Sequence, residues 1–155
     1  MKEQITTIKL PSRNEASVFC NMRGTHVGLR TNDYNAIIKW YQEKLDFRLI
    51  HEWPFGDLQL AYLAPANDDN FWIEILAGGD PAPHEGYKDL AGSLHPAGYH
   101  HFCIDVPSVD ETIAELRRRE VKVIDEPFDL AVIGKRLGFI ADPFGNIIEF
   151  ASRLS

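Results

Sequence analysis

Four side chains able to bind a cation stand at matched distances along this chain: His26 and Glu74, then His101 and Glu149, each Glu following its His by 48 residues. Imidazole nitrogen and carboxylate oxygen are ligands for first-row divalent metals. Glu74 poses the sharpest question. It lies within "FWIEIL" (71–76), which otherwise reads as buried strand, and an unpaired carboxylate taken out of water costs several kcal/mol, on the order of a small domain's whole margin of stability. A partner is required, and a divalent cation shared with the other three residues would supply it. The alternative for any one of these residues alone is an ordinary buried His–Glu ion pair; four at matched positions favour the metal.

A shift of 75 residues carries His26 onto His101, Asp33 onto Ser108, Tyr41 onto Leu116, Leu49 onto Ile124 and Glu74 onto Glu149. Matched spacing of this kind is the mark of an internal duplication. Strand parity refines it, because side chains alternate between faces with period two. In "HVGLR" (26–30), His26, Gly28 and Arg30 share a face; in "HFCIDV" (101–106), His101, Cys103 and Asp105 do. Glu74 opposes Phe71, Ile73 and Ile75, and Glu149 opposes Ile148 and Phe150. Each of these strands thus has one apolar face for packing against helices and one face carrying a ligand.

The elements that must position these residues follow the same repeat. "ND" (32–33) caps a helix with Tyr34, Ile37, Ile38, Tyr41 and Leu45 at helical spacing, and Ser108 with Glu111 forms a capping-box signature for the helix "VDETIAELRRRE". Strands are expected at 47–53, 58–64 and 71–76 in the first half, and at 121–124, "LAVI" (130–133), 136–141 and 147–150 in the second. A Gly- and Pro-rich seam separates the halves, and "QITTIKL" near the start reads as an arm or extra strand.

Other candidates divide between chemistry and plain structure. Arg30, on the face of His26, either holds an anionic substrate group by bidentate contacts or forms a rim salt bridge. Lys135 and Arg136 invite the same reading more weakly, the alternative being a solvated turn. Cys103 shares the ligand face as a small pocket-lining residue. His84 and His95 lie in the seam, His51 in a strand beside Glu52, and His100 falls by parity on the apolar face with Phe102. His101 is accordingly taken as the ligand. No phosphate loop, zinc-type Cys cluster or Cys/His nucleophile pair is present.

Composition narrows the partners. With 16 Lys+Arg against 23 Asp+Glu and a net charge of −7, nucleic acid and anionic membrane are disfavoured, leaving small molecules or proteins. No apolar run is long enough to span a bilayer or serve as a secretory signal, and two cysteines in unlike contexts suit a reducing compartment, so a cytoplasmic location is expected.

The quoted stretches "HVGLRTNDYNAIIKWYQEKLDFRL", "FWIEIL", "HHFCIDV" and above all "IADPFGNIIEF" resemble the vicinal oxygen chelate superfamily, the glyoxalase/bleomycin-resistance/dioxygenase group, over roughly residues 22 to 152. The resemblance implies an α+β fold of two tandem βαβββ modules, about 22–78 and 98–152, joined by the loop 79–97 and preceded by an arm over 1–21. Their mostly antiparallel sheets would form a cup around one metal site within a domain over 22–155. It implies His26, Glu74, His101 and Glu149 as metal ligands, one divalent ion per site (Ni, Co, Mn, Fe or Zn), and a homodimer whose site combines modules of one chain or is exchanged between two. The implied activity is a glyoxalase-type lyase or isomerase. There, a small molecule with vicinal oxygens passes through a metal-stabilised enediolate, Glu149 or Glu74 shuttles the proton, and Arg30, Cys103 and Arg136 contact substrate. An Fe(II) extradiol dioxygenase using His26, His101 and Glu149, and a metal-free resistance protein that binds small molecules, are the alternatives within the same group. The 77–100 seam is longer than the linker of bacterial glyoxalase I and closer to epimerase-like or dioxygenase-like members.

Overall fold

The computed structural model describes residues 8–83 and 86–154. The first half contains β1 (His26–Thr31), α1 (Tyr34–Leu45), β2 (Arg48–Phe55), β3 (Leu58–Ala64) and β4 (Trp72–Ala77). A short helix, α2 (Leu90–Ser93), lies in the seam. The second half contains β5 (His101–Asp105), α3 (Val109–Arg118), β6 (Lys122–Leu130), β7 (Lys135–Ala141) and β8 (Ile147–Arg153). Each half is a βαβββ module, its sheet ordered β1-β4-β3-β2 in one case and β5-β8-β7-β6 in the other. The first and last strands of each module pair in parallel and all other pairs are antiparallel.

Both long helices start where a side chain can satisfy a free backbone N–H. Asp33 accepts from the N–H of Ala36 at 2.9 Å, and Ser108 from that of Glu111 at 3.3 Å. Each helix is followed by a residue in the left-handed conformation, Asp46 (φ 54°) after α1 and Glu120 (φ 61°) just past α3, which lets the chain turn back into the next strand.

Ile37, Tyr41, Leu63, Ile73 and Ile75 in the first module, and Ile113, Ile140 and Ile148 in the second, are almost completely buried. Burying one such side chain is worth about 1.5–3 kcal/mol. These residues belong to one continuous core spanning both modules, because the modules meet through their helix-bearing sides. The rings of Phe71 and Phe102 lie 5.7 Å apart, and Lys44 Nζ donates to the carbonyl of Arg119 at 2.5 Å. The opposite faces of the two sheets point away from this core. On the second sheet, Ile124, Leu137, Phe139, Ala141, Ile147 and Ala151 form a separate cluster, partly covered by Tyr87 and Leu90 of the seam.

Two local expectations differ from the structure. "LAVI" is not a strand. β6 runs unbroken to Leu130 through two register shifts, and Ala131–Ile133 form a 3-10 turn closed by Gly134 at φ 66°. The apolar residues there serve a tight connection into β7. Of "QITTIKL", residues 4–7 lie outside the described residues, and 8–10 have no regular structure. His84 also lies outside them.

Candidate metal centre

Parallel pairing of β1 with β4 sets Gly28 opposite Glu74. Parity then turns His26, Gly28 and Arg30 to the same side as Trp72, Glu74 and Leu76, away from the core residues Ile73 and Ile75. His26 Nε2 lies 3.6 Å from Glu74 Oε2, with the two side chains 37% and 20% exposed. The other ring nitrogen of His26 is held by Thr25 Oγ1 at 3.1 Å. A Cβ on Gly28 would crowd Leu76 Cδ1 at 3.2 Å but meet Glu74 Oε2 only in ordinary contact at 3.8 Å.

Aromatic rings surround this pair. Tyr62, opposite Glu74 on β3, has its ring centre 5.5 Å from that of His26, 4.7 Å from Trp53 and 5.1 Å from Trp72. His51 stacks on Trp53 at 5.6 Å. A bulge puts it there. Leu49 pairs with Leu63 but His51 with Tyr62, so Ile50 is the extra residue and His51 turns onto the ligand face.

The second module repeats the arrangement. Cys103 faces Glu149 across β5 and β8, and His101 Nε2 lies 3.0 Å from Glu149 Oε2, with exposures of 32% and 14%. The His101 ring packs edge-on against Phe139 at 5.7 Å. Its Nδ1 is 2.7 Å from Nδ1 of His100, whose Nε2 is 2.8 Å from Ser93 Oγ. Burial, then the neighbouring His101, lowers the pKa of His100. Burial first, and then a hydrogen bond to Glu149, pushes the Cys103 thiol up to about 12. At neutral pH it is a protonated side chain beside the carboxylate rather than a nucleophile.

Both pairs have the donor chemistry of ligands adjacent on one ion; His101–Glu149 at 3.0 Å also has the spacing, and His26–Glu74 at 3.6 Å stands slightly wider. Two donors each about 2.1 Å from a cation lie about 3.0 Å apart at a right angle and about 3.4 Å apart at a tetrahedral angle. One pair supplies half a coordination set. Among the described residues no three His, Cys, Asp or Glu side chains gather closely enough to hold a cation within one chain. The structure therefore joins His26 to Glu74 and His101 to Glu149, and does not join the two pairs to each other. The reason is the packing of the modules through their helices, which leaves the ligand faces on outer sides.

The basic residues singled out in the sequence lie elsewhere. Arg30 donates to the carbonyls of Thr31, Leu76 (2.9 Å) and Gly78 (2.5 Å), tying the ends of β1 and β4 together. It also lines a cavity of about 880 Å³ with Asp80, Tyr99, Lys122 and Asn146, and none of the four His and Glu residues borders that space. Arg136 is bound by Asp110 at 2.7 and 2.8 Å and by Asp129 at 2.7 Å. It is on the helix side of β7 and away from Glu149. Lys135 pairs with Asp105 at 2.8 Å.

Sequence reasoning set His100 and His51 aside and did not single out Ser93, Thr25, Trp53, Tyr62 or Trp72. The adjacent histidines at 100–101 and the Trp and Tyr residues on successive strands were the available signals.

A family model described as Glyoxalase/Bleomycin resistance protein/Dioxygenase superfamily matches residues 23–150. The chain belongs to that superfamily. Among relatives, it is 30% identical to a lactoylglutathione lyase of Pseudomonas putida, with 80% of this chain and 81% of that protein covered. Among solved structures, a glyoxalase family protein from Enterococcus faecalis superposes with a TM-score of 0.70 at 21% identity, covering 85% of this chain and 98% of that one. A genomically encoded fosfomycin resistance protein from Listeria monocytogenes superposes with a TM-score of 0.59 at 18% identity, covering 84% and 92%. These likenesses agree with the tandem βαβββ architecture of this superfamily member.

Proposed function

We propose that this protein is a divalent-metal-dependent lyase or isomerase of the glyoxalase type. It acts on a small molecule with vicinal oxygens, at a centre built from the His26–Glu74 pair of one copy and the His101–Glu149 pair of another. The observation that carries this reading is the matched geometry of the two pairs: each imidazole turns Nε2 toward its own carboxylate, at 3.6 and 3.0 Å, on a sheet face turned away from the core. Two half-sets on outer faces of one chain call for a second copy to complete them.

A divalent cation held there would supply Lewis-acid polarisation of a substrate oxygen, making a neighbouring C–H acidic. This chain's own residues do the rest. Glu74 of one copy and Glu149 of the other, each part-buried beside its own His, would accept the proton from one carbon and return it at the next. Tyr62, Trp53 and Trp72 keep water from the exchanging proton. The kinship with a lactoylglutathione lyase supports this chemistry. In a dioxygenase reading with His26, His101 and Glu149 as ligands, Glu74 would be surplus. It is instead placed as Glu149 is, opposite a small residue and beside its own His, which favours the four-ligand reading.

Complementation tests the shared centre. Glu74→Ala and Glu149→Ala are each expected to lose activity with a hemithioacetal of an α-ketoaldehyde. Mixing the two variants, with subunit exchange, is expected to restore it, because a mixed dimer regains one intact set. Failure to recover activity in demonstrated heterodimers would refute the shared site; absence of stoichiometric metal in purified wild-type protein would refute the metal.

A further inference from the structure

Resting on the metal reading above, we propose that Ser93 and His100 are positioning residues. They fix His101 in the tautomer with hydrogen on Nδ1 and a lone pair on Nε2, and so tie the seam loop to cation binding. The inference follows from counting hydrogens along an unbroken chain of contacts. Ser93 is buried, and its Oγ lies 2.7 Å from the carbonyl oxygen of Leu90 and 2.8 Å from His100 Nε2. A carbonyl can only accept, and a hydroxyl has one hydrogen to give. Ser93 therefore donates to Leu90 and accepts from His100 Nε2–H. A neutral His100 with its hydrogen on Nε2 has only a lone pair on Nδ1. At 2.7 Å from it, His101 Nδ1 must be the donor.

His101 Nε2 then carries a lone pair directed at Glu149 Oε2, 3.0 Å away. For a neutral His101, two acceptors at that distance repel unless a proton or a metal cation bridges them. A peptide carbonyl in α2 thus sets, through two side chains, which nitrogen of His101 is offered to a cation. Holding the non-ligating nitrogen of a metal-binding imidazole in this way typically governs metal affinity by 10–100-fold. The relay begins in the same seam that lays Tyr87 and Leu90 over the second sheet, so displacing that segment would release the ligand ring.

Two measurements test this. In metal-free wild-type protein, at a pH where imidazoles are neutral, 15N NMR is expected to show a pyrrole-type Nδ1 and a pyridine-type Nε2 for His101. The reverse pattern overturns the proposal without reference to any metal. In Co²⁺ titrations, His100→Leu and Ser93→Ala are expected to weaken binding about 10–100-fold, while His100→Asn, whose side-chain oxygen can still accept from His101 Nδ1–H, is expected to recover most of it. Equal affinities for wild type and His100→Leu overturn the relay and leave the metal reading standing. A wild-type protein that binds no Co²⁺ overturns both.

Discussion

Neighbouring residues 73 and 74 carry opposite duties because one faces the core and the other the ligand side. Ile73 is completely buried, so Ile73→Ala is expected to cost about 2–5 kcal/mol of stability, read as a lower midpoint in urea, while folded protein keeps its Co²⁺ affinity. Glu74→Gln is expected to do the reverse: an unfolding midpoint close to that of wild type, since the carboxylate is part-exposed and only loosely paired with His26 at 3.6 Å, with weakened metal binding. Parity made this division legible in the sequence, and it held for Glu74, Glu149, His26 and His101. It failed for His100, because alternation constrains only residues inside a strand. β5 begins at His101, which leaves His100 free to turn toward Ser93. His51 lies in a strand beside Glu52, as the sequence suggests, but the face it takes was not readable: the extra residue in β2 shifts its register by one, and a bulge leaves no mark in a pattern of apolar and polar residues.

At the scale of elements, the contact between α1 and α3 is reinforced by a charged knot. Arg119 reaches Asp46 at 2.9 Å and Glu115 at 2.7 Å, and Arg118 also binds Glu115. The hydrogen bonds from Arg118 and Arg119 pull the Glu115 carboxyl from an ordinary 4.5 down to about 2. A carboxylate favoured in the folded state contributes stability above its unfolded pKa and loses it as pH falls toward the folded one. Glu115→Gln is therefore expected to flatten the acid limb of the stability curve between about pH 4.5 and 2, measured by thermal unfolding across that range. The knot is solvent-exposed, so the change is small. Caps, helices and the ligand-bearing strands were readable in advance because each is encoded locally. The 3-10 turn at Ala131–Ile133 was not, since four apolar residues read as strand until Gly134 closes the turn behind them.

For the whole molecule, the duplication was legible and its assembly was not. Matched spacing identifies two copies of one module, yet nothing in that spacing says which faces meet. The helix-side core settles that question within the chain and leaves each His–Glu pair facing outward. If two chains share each ion, chelation is expected to shift the oligomer toward monomer on dilution, measured by light scattering with and without EDTA, and readdition of Co²⁺ should reverse it.

Glu120 adopts φ 61° beyond the end of α3, a conformation that costs a residue with a Cβ about 1–2 kcal/mol and glycine almost nothing. Evolution has left thermostability in reserve there. Glu120→Gly should raise the melting temperature by about 2–4 °C without touching either His–Glu pair, offering a sturdier background in which damaging changes at the proposed metal centre can be studied folded.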